Sequence, residues 1–268
     1  MKTPLKSIVM ALTVSVGLQA AAAYAADESS TSKPNTLTAD EARAGWRLLW
    51  DGKTTEGWRS AKSDSFPKKG WTMQDGVLTI HGNNGRESAG GGDIITRKRY
   101  SDFELQADFK ITPGANSGIK IFVQPNISPI DKKTGAKTAV GSAIGCEFQV
   151  LDDERHPDAK LGRNGNRTIG SLYDLIPAAP DKKVAPVGEW NHARILSRGR
   201  HVEFWLNGQK TVEFERGSAA FRQLVAESKF KNIPDFGEWP DGHILLQDHG
   251  CEVSYRNLKI RELNSNKL

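Results

Sequence analysis

Two short stretches hold the groups that could do chemistry. In Gly145-Cys146-Glu147-Phe148-Gln149-Val150-Leu151-Asp152, a period of two sends Cys146, Phe148 and Val150 to one face of a strand and Glu147 and Gln149 to the other. In Ile244-Leu245-Leu246-Gln247-Asp248-His249-Gly250, Gln247 and His249 share one face while Ile244 and Leu246 take the other. A third segment, 117–123, turns Ile119, Ile121 and Val123 toward a core and Lys120 to the opposite side. If these strands lie in one sheet, a carboxylate, two amides, an imidazole and an ammonium converge on one patch. Such a patch binds sugar hydroxyls or moves protons. The plain alternative is a polar face turned to water, the usual state of such side chains.

The elements that must position these groups are strands. Alternation is clearest at 103–111, where Phe103, Leu105, Ala107, Phe109 and Ile111 face in and Glu104, Gln106, Asp108 and Lys110 face out. Asp75-Gly76 and Asn207-Gly208 are two-residue hairpin turns between apolar runs. Further strands are expected at 93–96, 168–175, 190–197, 201–206, 210–215 and 253–263, with Ile169, Ser171, Tyr173 and Leu175 sharing a face. Thr38 caps one helical turn, and Ser218 caps a short amphipathic helix running to about Phe230. About a dozen short strands without a βαβ rhythm predict an all-β, two-sheet antiparallel sandwich or jelly roll with one short helix.

The chain start reads as an export signal. Lys2 and Lys6 precede an apolar run from Ile8 to Ala23, and Ala23-Tyr24-Ala25 fits a small-x-small cleavage site. Residues 1–25 are therefore expected to be a signal peptide, 26–44 a polar linker disordered through 38, and 45–263 the folded domain, periplasmic or secreted. Cleavage lowers the formal charge from +5 to +3. Basic and acidic residues alternate, so no nucleic-acid stripe is present, and no later stretch is apolar for long enough to span a bilayer. Cys146 and Cys251 adjoin the two polar strands; a disulfide between them needs a bulge at Gly250 to bring both to one face.

Nucleotide, zinc and serine-hydrolase signatures are missing from the sequence: no phosphate-binding glycine loop, no paired Cys or His ligands, no Gly-x-Ser-x-Gly. The acids of the 152–167 loop lack the spacing of a calcium loop. A glucanase of the concanavalin type should alternate Glu, Asp and Glu on one strand, but Glu147 is followed by Gln149 and Leu151.

Taken in order, Leu49-Trp50-Asp51-Gly52, Gly57-Trp58, Ser101-Asp102-Phe103-Glu104-Leu105, Asn116-Ser117-Gly118-Ile119, the Glu147 strand, Gly188-Glu189-Trp190-Asn191, Leu206-Asn207-Gly208, Leu246-Gln247-Asp248-His249-Gly250 and Arg256-Asn257 make a pattern. It resembles the bacterial 3-keto-disaccharide hydrolase family, with a concanavalin A-like jelly roll, across roughly 45–263. The chain departs from that family at Cys146, more often aromatic there, and at Lys120, where arginine is expected.

The resemblance implies an exported enzyme acting on 3-keto-glycosides. A ketone at C3 acidifies the C2 hydrogen; a base removes it, the enolate expels the C1 substituent, and water adds to the unsaturated sugar. This needs one base, one acid and one group to stabilise the enolate. Glu147, His249 and Lys120 suffice in kind, with His249 or Glu147 as the base, and a divalent metal could replace Lys120 as electrophile. Asn116, Gln149, Asp152, Tyr173 and Gln247 are the expected sugar-holding residues. The competing reading is a non-catalytic, lectin-like carbohydrate-binding module, for which Trp205 is the candidate stacking aromatic.

Overall fold

A computed structural model describes residues 33–263. The signal-peptide reading of residues 1–25 lies outside them. Described strands run in chain order as β1 (Arg47–Leu48), β2 (Trp58–Ser60), β3 (Trp71–Gln74), β4 (Val77–Ile80), β5 (Ile94–Thr96), β6 (Phe103–Ile111) and β7 (Asn116–Gln124). They continue as β8 (Ile144–Leu151), β9 (Trp190–Arg198), β10 (His201–Leu206), β11 (Gln209–Glu215), β12 (His243–Leu246) and β13 (Val253–Glu262), with helices α1 (Ala39–Arg43) and α2 (Ala219–Ala226).

Two antiparallel sheets result. One has the order β11-β10-β9-β6-β13-β4-β3, with β1 added on β13; the other is β2-β5-β12-β7-β8. The expected all-β sandwich is the observed fold. Its core is filled by the inward rows of both sheets, including Phe103, Phe109, Phe148, Phe204 and Tyr255, none more than 1 % exposed. Asp75-Gly76 and Asn207-Gly208 form the two hairpin turns, all four residues having positive φ.

Four local expectations need correction. Residues 168–175 are a run of turns, not a strand, because Gly170 and Asp174 take positive φ and break the extended backbone. The run still crosses the β8 edge, where Gly170 N donates to Gln149 O, Gln149 N to Ser171 O, and Tyr173 N to Glu147 O. Val123 leaves the main core: Phe122, at φ 55°, bulges β7 and takes the core position, sending Val123 to the opposite face beside Ile95, Ala143 and Leu245. Gly242 permits this, since a Cβ there would collide with the Phe122 backbone. The helix capped by Ser218 ends at Ala226, short of Phe230.

The fourth concerns the linker. Thr38 does cap α1 in a reciprocal capping box with Glu41. However, Asn35 is buried and exchanges hydrogen bonds with Asn257, its N–H donating to Asn257 Oδ1 at 2.7 Å and its Oδ1 accepting from Asn257 N at 2.8 Å. Its amide also donates to Gly76 O. The polar composition of this segment hides a specific anchor. Cys146 and Cys251 are both free, and burial pushes the Cys146 thiol up to about 12.

Candidate active site

The sheet register assembles the site. On β7 and β8, Lys120 lies opposite Glu147 and Gly118 opposite Gln149. On β12, Leu245 lies opposite Lys120, and Gln247 N extends the ladder by donating to Gly118 O at 3.0 Å. The polar strands at 144–151 and 243–249 thus share one sheet with β7 between them. Their non-core face is not left to water: every residue of β8 is buried. Loops 127–145 and 229–233 wall it in and leave a cavity of about 270 Å³, room for about one sugar ring.

Glu147, Lys120, His249, Asn116, Gln149, Tyr173 and Gln247 all line this cavity. Glu147 and Lys120 are each 6 % exposed, with Nζ 3.6 Å from Oε2. Lys120 Nζ also donates to Ser142 Oγ at 2.5 Å and to Ala143 O at 3.2 Å. In the amide orientation that satisfies both of its ends, Gln149 donates to Glu147 Oε1 at 3.2 Å and to Ser117 O at 3.1 Å. Gly118 makes room for the carboxylate, because a Cβ there would overlap Glu147 Oε1.

His249 is held by its neighbours rather than by its ring. Asp248 is fully buried, accepting from Gly91 N, Gly92 N and Gly250 N, while its own N–H donates to Asp93 Oδ1. Neither ring nitrogen of His249 has a hydrogen-bond partner among the described residues, and Nδ1 is buried. The ring meets His156 edge-on at 5.9 Å. Burial, then the proximity of His249, lowers the His156 pKa. Asn116 Oδ1 and Gln247 Oε1 are likewise buried without partners among the described residues.

Asp152 does not join them. It borders a separate cavity of about 600 Å³ beside Arg155 and Val187. There its carboxylate ties a turn, accepting from Gly114 N at 2.8 Å, Arg155 Nη1 at 3.1 Å and Glu154 N at 3.1 Å. Burial opposes ionisation, but these donors prevail and hold the carboxyl below its ordinary range. A depressed folded pKa means stability present above the unfolded pKa and lost as pH falls through the folded one. Accordingly Asp152→Ala should cost about 1–3 kcal/mol of stability with kcat and KM unchanged. Denaturant unfolding beside steady-state kinetics checks this; a raised KM at unchanged stability would return Asp152 to the sugar site.

Four lining residues were not legible in the sequence. Glu87 enters from the 82–92 loop, packs on Gly141 and adds a second carboxylate, exposed at the mouth. Ser142 connects Lys120 to Asp93, donating to Asp93 Oδ2 at 2.6 Å. Phe230 and Lys229 follow α2; Lys229 Nζ stands 4.0 Å from the Tyr173 ring centroid. Lys229 is exposed as a residue, yet the crowding around its ammonium end lowers its pKa, with nearby Glu147 opposing the shift. Asp93 lies just behind the wall, its carboxyl raised by burial against the pull of Lys120.

Among the described residues, three metal-type donors approach within 4.8 Å of one another at His201, Glu203 and Glu213, on β10 and β11 of the other sheet, not in the cavity. Trp205 is also on that sheet; its indole N–H donates to Glu203 and Arg194 covers its ring at 5.0 Å. No helix among the described residues is long and apolar enough to cross a membrane.

The two sheets and the cavity on the non-core face of one of them define a jelly-roll protein with a polar site. A family model for the 3-keto-alpha-glucoside-1,2-lyase-like domain matches residues 45–261. A 3-keto-disaccharide hydrolase of Bacteroides thetaiotaomicron is 34 % identical over 236 residues, covering 82 % of this chain and 79 % of the relative. A crystal structure from Parabacteroides distasonis, described as a glycosyl hydrolase, superposes with a TM-score of 0.70 at 31 % identity, covering 87 % of this chain and 100 % of the other. A second glycosyl hydrolase structure from the same organism gives 0.56 at 28 % identity, with 81 % and 99 % covered. The chain belongs to the 3-keto-disaccharide hydrolase family.

Proposed function

We propose that the protein is exported and cleaves 3-keto-glycosides by removing the C2 proton, eliminating the C1 substituent and hydrating the product. The observation that carries this is the convergence of His249, Glu147, two lysines and unpaired amide groups in one cavity about the size of a sugar ring. Amide and imidazole atoms buried without partners cost about 1–3 kcal/mol each, a cost that a polyhydroxylated ligand entering the site can offset. The family's 1,2-lyase designation names the same pair of bonds, C1–O and C2–H. His249 takes the proton. The ammonium of Lys120, itself nearly inaccessible and fixed beside Glu147, favours the negative enolate.

The binding-module reading loses its stacking aromatic, since Trp205 lies on the other sheet beneath Arg194. Direct displacement has a structural argument, the second carboxylate at Glu87. Purified protein given a 3-keto-disaccharide and the unoxidised disaccharide in deuterated water decides between them. The expected result is cleavage of the keto form alone, with deuterium at C2 of the product. Equal rates on both sugars would rule out elimination and leave Glu147 and Glu87 as the catalytic pair.

A further inference from the structure

We infer that Lys229 is the general acid of the reaction, delivering its ammonium proton to the glycosidic oxygen as the C1–O bond breaks. This rests on the elimination reading of the site. That reading leaves one requirement open, a proton for the departing alkoxide, and the proton-bearing groups of the cavity can be accounted for one by one. Lys120 is committed: its N–H groups go to Ser142 Oγ and Ala143 O, with Glu147 at 3.6 Å. The Tyr173 hydroxyl is committed as well, donating to Asp158 Oδ2 at 2.8 Å, and burial raises its pKa so that it gives up a proton poorly. His249 serves the C2 proton. Lys229 Nζ stands over the face of the Tyr173 ring with no hydrogen bond or ion pair among the described residues.

Its placement also fits. The chain at 170–173 lies along β8 as a further row, Leu172 bridging to Phe148, and Lys229 stands on Tyr173 at that end. His249 follows β12, on the other side of β7. Three row spacings put the backbones of β12 and 170–173 roughly 14 Å apart. His249 and Lys229 line the same cavity, whose volume admits one sugar ring. The turn that presents Lys229 is pinned, its backbone N–H donating to Asp174 Oδ2 at 2.8 Å, and Asp174 is in turn held by Arg167 at 2.7 Å. Lys229 as a whole residue is exposed, but the crowding of its ammonium against the Tyr173 ring lowers its pKa, which makes that ammonium a readier donor.

The step balances. His249 takes the C2 hydrogen as a proton and leaves its electron pair in the enolate of C2, C3 and the C3 oxygen; that pair then forms the C1–C2 double bond, the C3 carbonyl is restored, and the C1–O pair leaves on oxygen. Lys229 protonates that oxygen and becomes a neutral amine. Water then adds its hydroxyl to C1 while its proton restores the ammonium, and His249 returns a proton to C2. Bonds made and broken sum to hydrolysis without oxidant or reductant.

The test compares wild type with Lys229→Met and Lys229→Arg on two substrates, a 3-keto-disaccharide and a 3-keto-glycoside of nitrophenol. An acidic phenol departs as its anion and needs no proton. Lys229→Met should therefore lose about 10²-fold or more in kcat on the disaccharide and less than about fivefold on the nitrophenyl glycoside. Its C2 deuterium exchange should persist and outrun cleavage of the disaccharide, while Lys229→Arg should resemble Lys229→Met on both substrates, being too weak an acid. Equal losses on the two substrates mean that Lys229 only binds, and an unchanged disaccharide rate means that it takes no part; either overturns the assignment. Wild type that cleaves neither keto substrate overturns the elimination reading itself, and this inference with it. Thermal unfolding of the variants at the wild-type midpoint confirms that the fold is intact.

Discussion

His249→Ala abolishes exchange of the C2 hydrogen with solvent deuterium and lowers kcat on a 3-keto-disaccharide by about 10²–10⁴-fold, with substrate affinity little changed. The expectation rests on what each possible base already does. Glu147 is engaged at both oxygens, by Gln149 at Oε1 and by Lys120 at Oε2, so neither stands open to the C2 hydrogen. His249 is free at both ring nitrogens among the described residues. A neutral imidazole offers one ring nitrogen able to accept a proton, and at His249 no described residue occupies it. Exchange measured by proton NMR isolates this step from bond cleavage, and binding is followed separately by protection against thermal unfolding. If His249→Ala exchanges the C2 hydrogen at the wild-type rate, Glu147 becomes the first candidate for the base.

Much of this site was legible because strand geometry is a strict period of two. Once β7, β8 and β12 were recognised, the faces of Lys120, Glu147, Gln149, Gln247 and His249 followed, and the register then placed Lys120 opposite Glu147. The same rule failed where the backbone leaves extended geometry. Phe122 at φ 55° resets the parity of β7, so Val123 changes sides. Residues 168–175 mimic a strand in their alternation, yet Gly170 and Asp174 fold them into turns that cover the β8 edge. Asp152 was expected at the sugar site from the family resemblance; its side chain ties the Gly114 turn. Lys229, Glu87 and Ser142 reach the cavity from loops, whose paths depend on tertiary contacts that no local pattern encodes. Asn35 was hidden for the same reason, its partner lying 222 residues away.

Lys120→Met carries the second large effect, on stability as well as on rate. Lys120 and Glu147 are both nearly inaccessible, and removing one partner of a buried pair leaves the other charge uncompensated, typically a loss of about 3–5 kcal/mol. For a domain of this size that corresponds to a fall of about 10 °C in the unfolding midpoint. The loss spreads beyond the pair, because Lys120 also anchors Ser142 and Ala143, which Asp93 gathers from behind through Ser142 Oγ and the Ala143 N–H. Without the ammonium, the burial that raises the Asp93 carboxyl loses its main opposing charge, so Asp93 takes up a proton more readily. Three further variants separate these contributions. Lys120→Arg keeps the charge and should keep most of the stability. Glu147→Gln, alone and combined with Lys120→Met, completes a cycle in which the double variant should be more stable than the sum of the single losses predicts, by about 1–3 kcal/mol. Urea unfolding of wild type, the two single variants Lys120→Met and Glu147→Gln, and the double variant gives the coupling directly. A Lys120→Met protein within about 1 kcal/mol of wild type would show that the Glu147 charge is supported by Gln149 and Lys229 alone, and Lys120 would then lose its place at the centre of the site.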